Sequence, residues 1–218
     1  MKRNLVLSLS FALAAALVTT APAALATQAS TSATTQGSPS QLVLANSQRI
    51  LATLEKRRAE FTKNRTALEQ FVAGEFNVMF DRDYAARQVL GRHGRGAADA
   101  DVKLFADALA DNLMRRYGSS LLDFNTQLRV RVKSETALPR GLGVKVSSEM
   151  LRAGGEPIPV DYLMRKSGDQ WKVFDVMVEG VSFVQTFRQQ FDNELTTKSI
   201  RQVATDLRNG QVQADAGH

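Results

Sequence analysis

The sequence predicts an α+β fold, with helices packed on one face of a curved four-stranded antiparallel sheet. Three observations predict it. From about Leu42 to Tyr117 apolar residues recur at spacings of three and four, the period of a helix with one buried face. From Leu128 to Val178 the period shortens to two, and short turns separate the alternating runs. Helical spacing then returns as far as Leu207. Helices and strands that are segregated along the chain define the α+β class.

The N-terminus reads as a targeting segment. Lys2 and Arg3 precede an uncharged run from Leu5 to Val18, and Ala24-Leu25-Ala26 follows with small residues where a signal peptidase needs them. Residues 1–26 are therefore expected to be a cleavable signal peptide. As a helix the apolar run would reach only ~21 Å, short of the ~30 Å hydrocarbon core. The chain has no cysteine, which excludes disulfides, thiolate chemistry and a lipidated cysteine after the cleavage site. Its 28 basic and 22 acidic residues are dispersed, unlike the concentrated basic stripe of a nucleic-acid binder.

Residues 27–40 are rich in Ser, Thr, Ala and Gln, too polar to offset ordering, and are expected to form a disordered leader. The domain is expected over 41–207, with a flexible tail over 208–218. Leu42, Val43, Ile50, Leu51 and Leu54 mark a first helix, closed by Lys56-Arg57-Arg58. A second covers Arg65 to Phe80, with Leu68, Phe71, Val72, Phe76 and Met79 on one stripe. A third runs from Asp81 or Arg82 to Leu90, stopped by Gly91; Gly91 to Gly96 is a loop. A fourth runs from Asp99 to about Leu122, bent or interrupted at Gly118, with Val102, Phe105, Leu109, Leu113 and Tyr117 inward.

The strands follow. Leu128, Val130 and Val132 alternate with Arg129, Arg131 and Lys133, and Pro139 to Gly143 turns the chain. Val144, Val146, Ser148 and Met150 mark a second strand, and Gly154-Gly155 the next turn. Val160, Tyr162 and Met164 mark a third, joined through Ser167-Gly168-Asp169 to a fourth from Trp171 to Val178. A sheet of strands near 30 Å, covered by helices, leaves a wedge between the layers that side chains either fill or leave open.

No catalytic constellation emerges. The histidines are His93, in the glycine loop, and His218, the last residue; neither is accompanied by a nucleophile elbow or by zinc-ligand spacing. Gly91, Gly94 and Gly96 follow a helix rather than a strand and lack phosphate-loop spacing. Asp161 and Asp175 are expected to pair with Arg165 or Lys172 across the hairpin. Asp175 and Tyr162 are the candidates should buried chemistry exist. No metal site and no cofactor are expected.

Apolar character stands out instead. Phe71, Phe76, Met79, Phe105 and Leu109 on helices, Val144, Val146, Met150, Val160, Tyr162 and Met164 on strands, and Phe183 and Phe187 on the last helix suit an adaptable apolar cavity. They suit a conventional core equally.

Certain segments resemble a known family. Val160-Asp161-Tyr162-Leu163-Met164-Arg165-Lys166, Trp171-Lys172-Val173-Phe174-Asp175 and Glu179-Gly180-Val181-Ser182 are similar to the hairpin and turn of the MlaC, or toluene-tolerance, family. Tyr84-Ala85, Val89-Leu90-Gly91 and the stretch from Phe105 to Tyr117 resemble its middle helices. The likeness spans about Gln41 to Leu207; the compact Ser167-Gly168-Asp169-Gln170 turn and the long leader depart from it. It implies an apolar cavity between the layers, no enzymatic activity, and a soluble periplasmic phospholipid carrier with the acyl chains buried. It also implies two partners, the MCE-domain subunit of an inner-membrane ABC transporter and an outer-membrane lipoprotein–porin complex. In that frame Val181 stands beside the cavity mouth, and Arg92, Arg95, Arg165 and Lys166 are candidates for docking on acidic partner surfaces. The alternative is a periplasmic protein-binding adaptor with a filled core.

Overall fold

The computed structural model describes residues 37–117, 122 and 128–215. The expected signal peptide, residues 27–36 of the leader, the bend at Gly118 and residues 216–218 lie outside them. Among the described residues seven α-helices flank one antiparallel meander of five strands, paired in chain order.

The first helix, α1 (Pro39–Lys56), begins inside the stretch expected as leader. Ser38 caps it by accepting from the Gln41 amide while the Gln41 side chain returns to the Ser38 amide. Pro39 at the first position needs no hydrogen bond of its own. Ser40 is tied to Glu135 of the first strand through its amide at 3.1 Å and its hydroxyl at 2.7 Å. Two helices follow, α2 (Arg58–Lys63) and α3 (Arg65–Met79), with Asn64 capping α3. Leu54, Phe61 and Leu68 bury themselves together among these three helices, with the Phe71 ring stacked 5.5 Å from Phe61.

A larger apolar cluster joins α4 (Arg82–Leu90), α5 (Asp99–Tyr117), α6 (Phe183–Thr197) and α7 (Ile200–Asn209). Phe105 and Phe191 meet edge to face at its centre, 5.4 Å apart and fully buried. The single closing helix expected from Ser182 onward is divided at Lys198 and Ser199. Ser199 accepts from the Gln202 amide and Gln202 reaches back, a second capping box that starts α7 on a new axis.

Within the stretch expected as a tail over 208–218, most described residues are exposed, with some held by contacts to the helices. Arg208 and Asn209 complete α7, and Ala214 is fully buried. Asn112 of α5 donates to the carbonyls of Leu207 (2.9 Å) and Val212 (3.3 Å) and accepts from the Ala214 amide (2.9 Å). A buried amide with its bonds satisfied is a strong local tie, so Asn112→Ala should cost about 2 kcal/mol in equilibrium unfolding. Proteolysis should then release the C-terminal residues early.

The strands are β1 (Arg129–Ala137), β2 (Val144–Leu151), β3 (Ile158–Ser167), β4 (Gln170–Val178) and β5 (Val181–Ser182). The fifth adds to the four expected: Val181 pairs with Val178 across a two-residue turn in which Glu179 and Gly180 have φ of 50° and 84°. Gly143 closes the β1–β2 connection at φ 137°, where a Cβ would lie 1.9 Å from the Met164 carbonyl oxygen. Any larger residue there would push β3 away.

Cross-strand pairing fixes the faces. Val144 pairs with Met164, Val146 with Tyr162, and Tyr162 with Val176, so these side chains share one face. Helix α1 covers it, with Val43, Val146, Met164 and Val173 buried together. The opposite face meets α4 and α6 beside β4: Phe174 touches the Tyr84 ring edge at 5.3 Å, and Asp175 reaches the start of α6. The helices thus divide between the two faces.

Candidate functional site

An apolar cleft of ≈ 730 Å³ opens among α3, α5 and the first turns of α6. Val72 and Phe76 line it from α3, Leu113, Met114 and Tyr117 from α5, and Phe183 and Phe187 from α6. The helical period accounts for this set. On α3 the positions 69, 72, 73, 76 and 77 form one stripe, and on α5 110, 113, 114 and 117 form another. These stripes face each other without closing, since within α3 only Leu68 and Met79 are buried.

Polar groups stand around the apolar walls. Arg82 donates to Asn77 of α3 and to Asp107 of α5, both at 2.7 Å, and so bridges the two helices. Arg115 donates to the Leu207 carbonyl at 2.9 Å. Glu69 and Asp111 contribute carboxylates to the lining. Nothing in that arrangement resembles a nucleophile with its base; it supplies a surface that sheds water and a polar margin.

The structure brings together three of the fourteen pocket residues expected from the sequence: Phe76, Phe183 and Phe187. Phe71 turns away to Phe61, and Met79 is buried at the end of α3. Phe105 and Leu109 belong to the packed helical cluster. Val144, Val146, Tyr162 and Met164 pack under α1 instead of lining the cleft. Val160 is buried and Met150 half-buried on that same face, whereas Val181 is 45 % exposed. Conversely Val72, Leu113, Met114 and Tyr117 line the cleft without having been singled out for it. Their helical stripes were legible; what faces them was not.

The two candidates for buried chemistry are placed structurally. Burial pushes the Tyr162 phenol above its usual range, against a hydrogen bond with Ser47 of α1. Burial likewise raises the Asp175 carboxyl, against hydrogen bonds from Ser182, Val184 and Val176 and the attraction of Arg188. The two lie on opposite faces of the sheet, and neither lines the cleft. The expected pairings of Asp175 and Asp161 also differ. Asp161 meets Lys145 at 3.6 Å and Asp175 caps α6, while Arg165 is paired with Asp81 and Lys172 binds the Val78 carbonyl.

Of the docking candidates, Arg165 also lies over the Tyr84 ring at 4.2 Å, a position that fixes α4 to the sheet. Lys166 lies over Trp171 at 5.7 Å. Arg92 and Arg95 stand together on a groove at the other end of α4.

Fold and site together define an α+β protein whose helices enclose an open apolar cleft beside a packed sheet. A phospholipid-binding protein from Ralstonia solanacearum, solved in complex with a phospholipid, has the same fold. Its TM-score is 0.69 at 23 % identity, covering 79 % of this chain and 97 % of that one. The chain belongs to the MlaC protein family, whose model matches residues 45–209. It is 25 % identical over 156 residues to the toluene tolerance protein ttg2D of Pseudomonas putida, covering 70 % of this chain and 71 % of that protein. It is 20 % identical over 178 residues to the intermembrane phospholipid transport system binding protein MlaC of Haemophilus influenzae, covering 80 % and 83 %.

Proposed function

We propose that this protein is a non-enzymatic periplasmic phospholipid carrier that moves lipid between the inner and outer membranes and so maintains outer-membrane lipid asymmetry. The observation that carries the reading is the open apolar cleft between α3, α5 and α6, in a chain of the MlaC family. A relative's solved complex with a phospholipid and two relatives named for lipid transport or toluene tolerance support it. Export through a signal peptide over residues 1–26 places the carrier between the membranes. Its partners are then the MCE-domain subunit of an inner-membrane ABC transporter and an outer-membrane lipoprotein–porin complex.

The physical demand on such a carrier is moderate. Each methylene taken from water is worth ~0.8 kcal/mol, so two tails of about thirty methylenes represent ~24 kcal/mol that the aqueous route must not expose. The protein has to match the bilayer, not exceed it, or the lipid would never leave. Val, Met and Phe walls do this without directional bonds. Helix α3, buried at two positions only, is the wall best able to give way to an acyl chain.

Purification of residues 27–218 without detergent, followed by organic extraction and mass spectrometry, tests the reading. Roughly stoichiometric phospholipid is the expected result. A folded protein that never carries lipid, even after exposure to vesicles, would instead favour the adaptor with a filled core.

A further inference from the structure

Where α4 ends, the 3-10 turn Gly91–Gly94 and the middle of α6 enclose a second groove, of ≈ 820 Å³. Its character is opposite to that of the apolar cleft. Arg87, Arg92, Arg95 and Arg188 all line it, together with Gln88, Gln189, Asn193 and one acidic residue, Asp192. The basic residues come from separate elements, and the turn draws them together. Gly91 has a φ of 54°, a backbone conformation that L side chains rarely adopt, and the Arg188 side chain packs beside it. Arg188 in turn donates through Nε to the Gln88 carbonyl at 2.7 Å.

The carboxylates at the groove do not neutralise it. Arg87 pairs with Asp99, and Arg92 and His93 both approach Asp192 at 2.9 Å. Asp175 also attracts Arg188, so four guanidinium groups face three carboxylates, of which Asp192 lines the groove itself. The Arg95 side chain makes no hydrogen bond or ion pair among the described residues, whereas Arg188 donates to Gln88 and is drawn toward Asp175. Guanidinium groups that converge on a concavity present forked donors suited to carboxylates.

We infer that this groove is a docking site for an acidic segment of a partner protein, separate from the apolar cleft and independent of whether lipid occupies it. A concave site with interleaved amides fits an extended chain bearing Asp and Glu side chains better than it fits a flat bilayer. Among the described residues, the lack of any large exposed apolar side chain in its lining points the same way. Val78, Leu142 and Val181 are the large apolar side chains exposed among the described residues, and none lines the groove. Gln189 and Asn193 supply neutral donors and acceptors for the backbone of such a segment. Attraction across the groove acts on encounter and register, so it must weaken with salt.

The test uses a fluorescein-labelled octaglutamate peptide and the full mature protein, followed by fluorescence anisotropy at low and high salt. Saturable, salt-sensitive binding is expected. Arg92→Glu with Arg95→Glu should weaken it by about tenfold or more, a modest demand for two reversed charges. Lys63→Glu with Arg152→Glu changes net charge equally on exposed positions elsewhere and should leave affinity within about twofold. Circular dichroism and lipid content of both double variants should match the parent, which separates this site from the carrier reading. Equal losses in the two double variants would reduce the effect to net charge and overturn the proposal. So would undiminished peptide binding by the Arg92/Arg95 variant. Binding to phosphatidylglycerol vesicles without any binding of the peptide would overturn it in favour of a membrane surface.

Discussion

Replacing Ala73 and Ala110 together by tryptophan should empty the protein of phospholipid and leave its fold intact. Both alanines line the cleft, one from α3 and one from α5, so the two indoles would enter it from opposite walls. Each aromatic side chain brings about 150–250 Å² of surface to bury. In a packed core such insertions would cost ~1–3 kcal/mol in strain. Here they enter existing space, and the melting temperature should hold or rise. Lipid recovered after detergent-free purification should fall by about tenfold or more, because the cleft would satisfy its own walls. Unchanged lipid content in a well-folded double variant would move the lipid elsewhere. The next place to look is then the sheet face under α1, where Met150→Trp and Val160→Trp would block it.

That alternative location shows how far the sequence can be read. Alternation along β2 and β3 correctly places Val144, Val146, Tyr162 and Met164 on one face. It says nothing of which helix covers that face, and α1 does so with Val43 and Ser47, giving a packed cluster. Helical spacing likewise shows that Val72 and Phe76 share a stripe, but a stripe has no address. The Leu113–Met114–Tyr117 wall opposite it becomes visible only in three dimensions. Two helix boundaries are legible in the sequence. Ser38 with Gln41 and Ser199 with Gln202 both carry the capping-box spacing. The first moves the domain edge into the supposed leader, and the second divides the closing helix. Charge pairing was the least legible part. Arg165 seeks Asp81, far away in sequence, because the chain at Phe80 wraps the edge of β4, where its backbone bridges Val173.

Asp175→Ala should destabilise the fold by about 3 kcal/mol, and the reason lies in how β4 hands the chain to α6. The Asp175 carboxylate accepts from the Ser182 hydroxyl at 2.6 Å and from the Val184 amide at 3.0 Å. Ser182 accepts from the Gln185 amide at 3.0 Å. One buried side chain therefore orients the N-cap residue and satisfies an amide of the first helical turn. Loss of a cap costs ~1 kcal/mol, and each donor left buried without a partner adds about 1–3. Urea titration of the parent and the variant measures the difference.

Asp175→Asn separates charge from shape. Burial raises the folded-state pKa of Asp175 despite its hydrogen bonds, so the folded protein keeps this proton to higher pH than the unfolded chain does. Between the ordinary Asp range and the raised folded value the unfolded state binds fewer protons, and stability falls as pH rises. Below that window the penalty vanishes; above it the penalty is constant. The Asn variant has no such titration. It should lose least to the parent at neutral pH and most in acid, where the parent's carboxyl is neutral and relieved of its desolvation cost. A parent-minus-variant difference that stays flat from acid to neutral pH would mean that Asp175 holds its proton equally in the folded and unfolded states. The α6 cap would then have to offset the full cost of burying its charge.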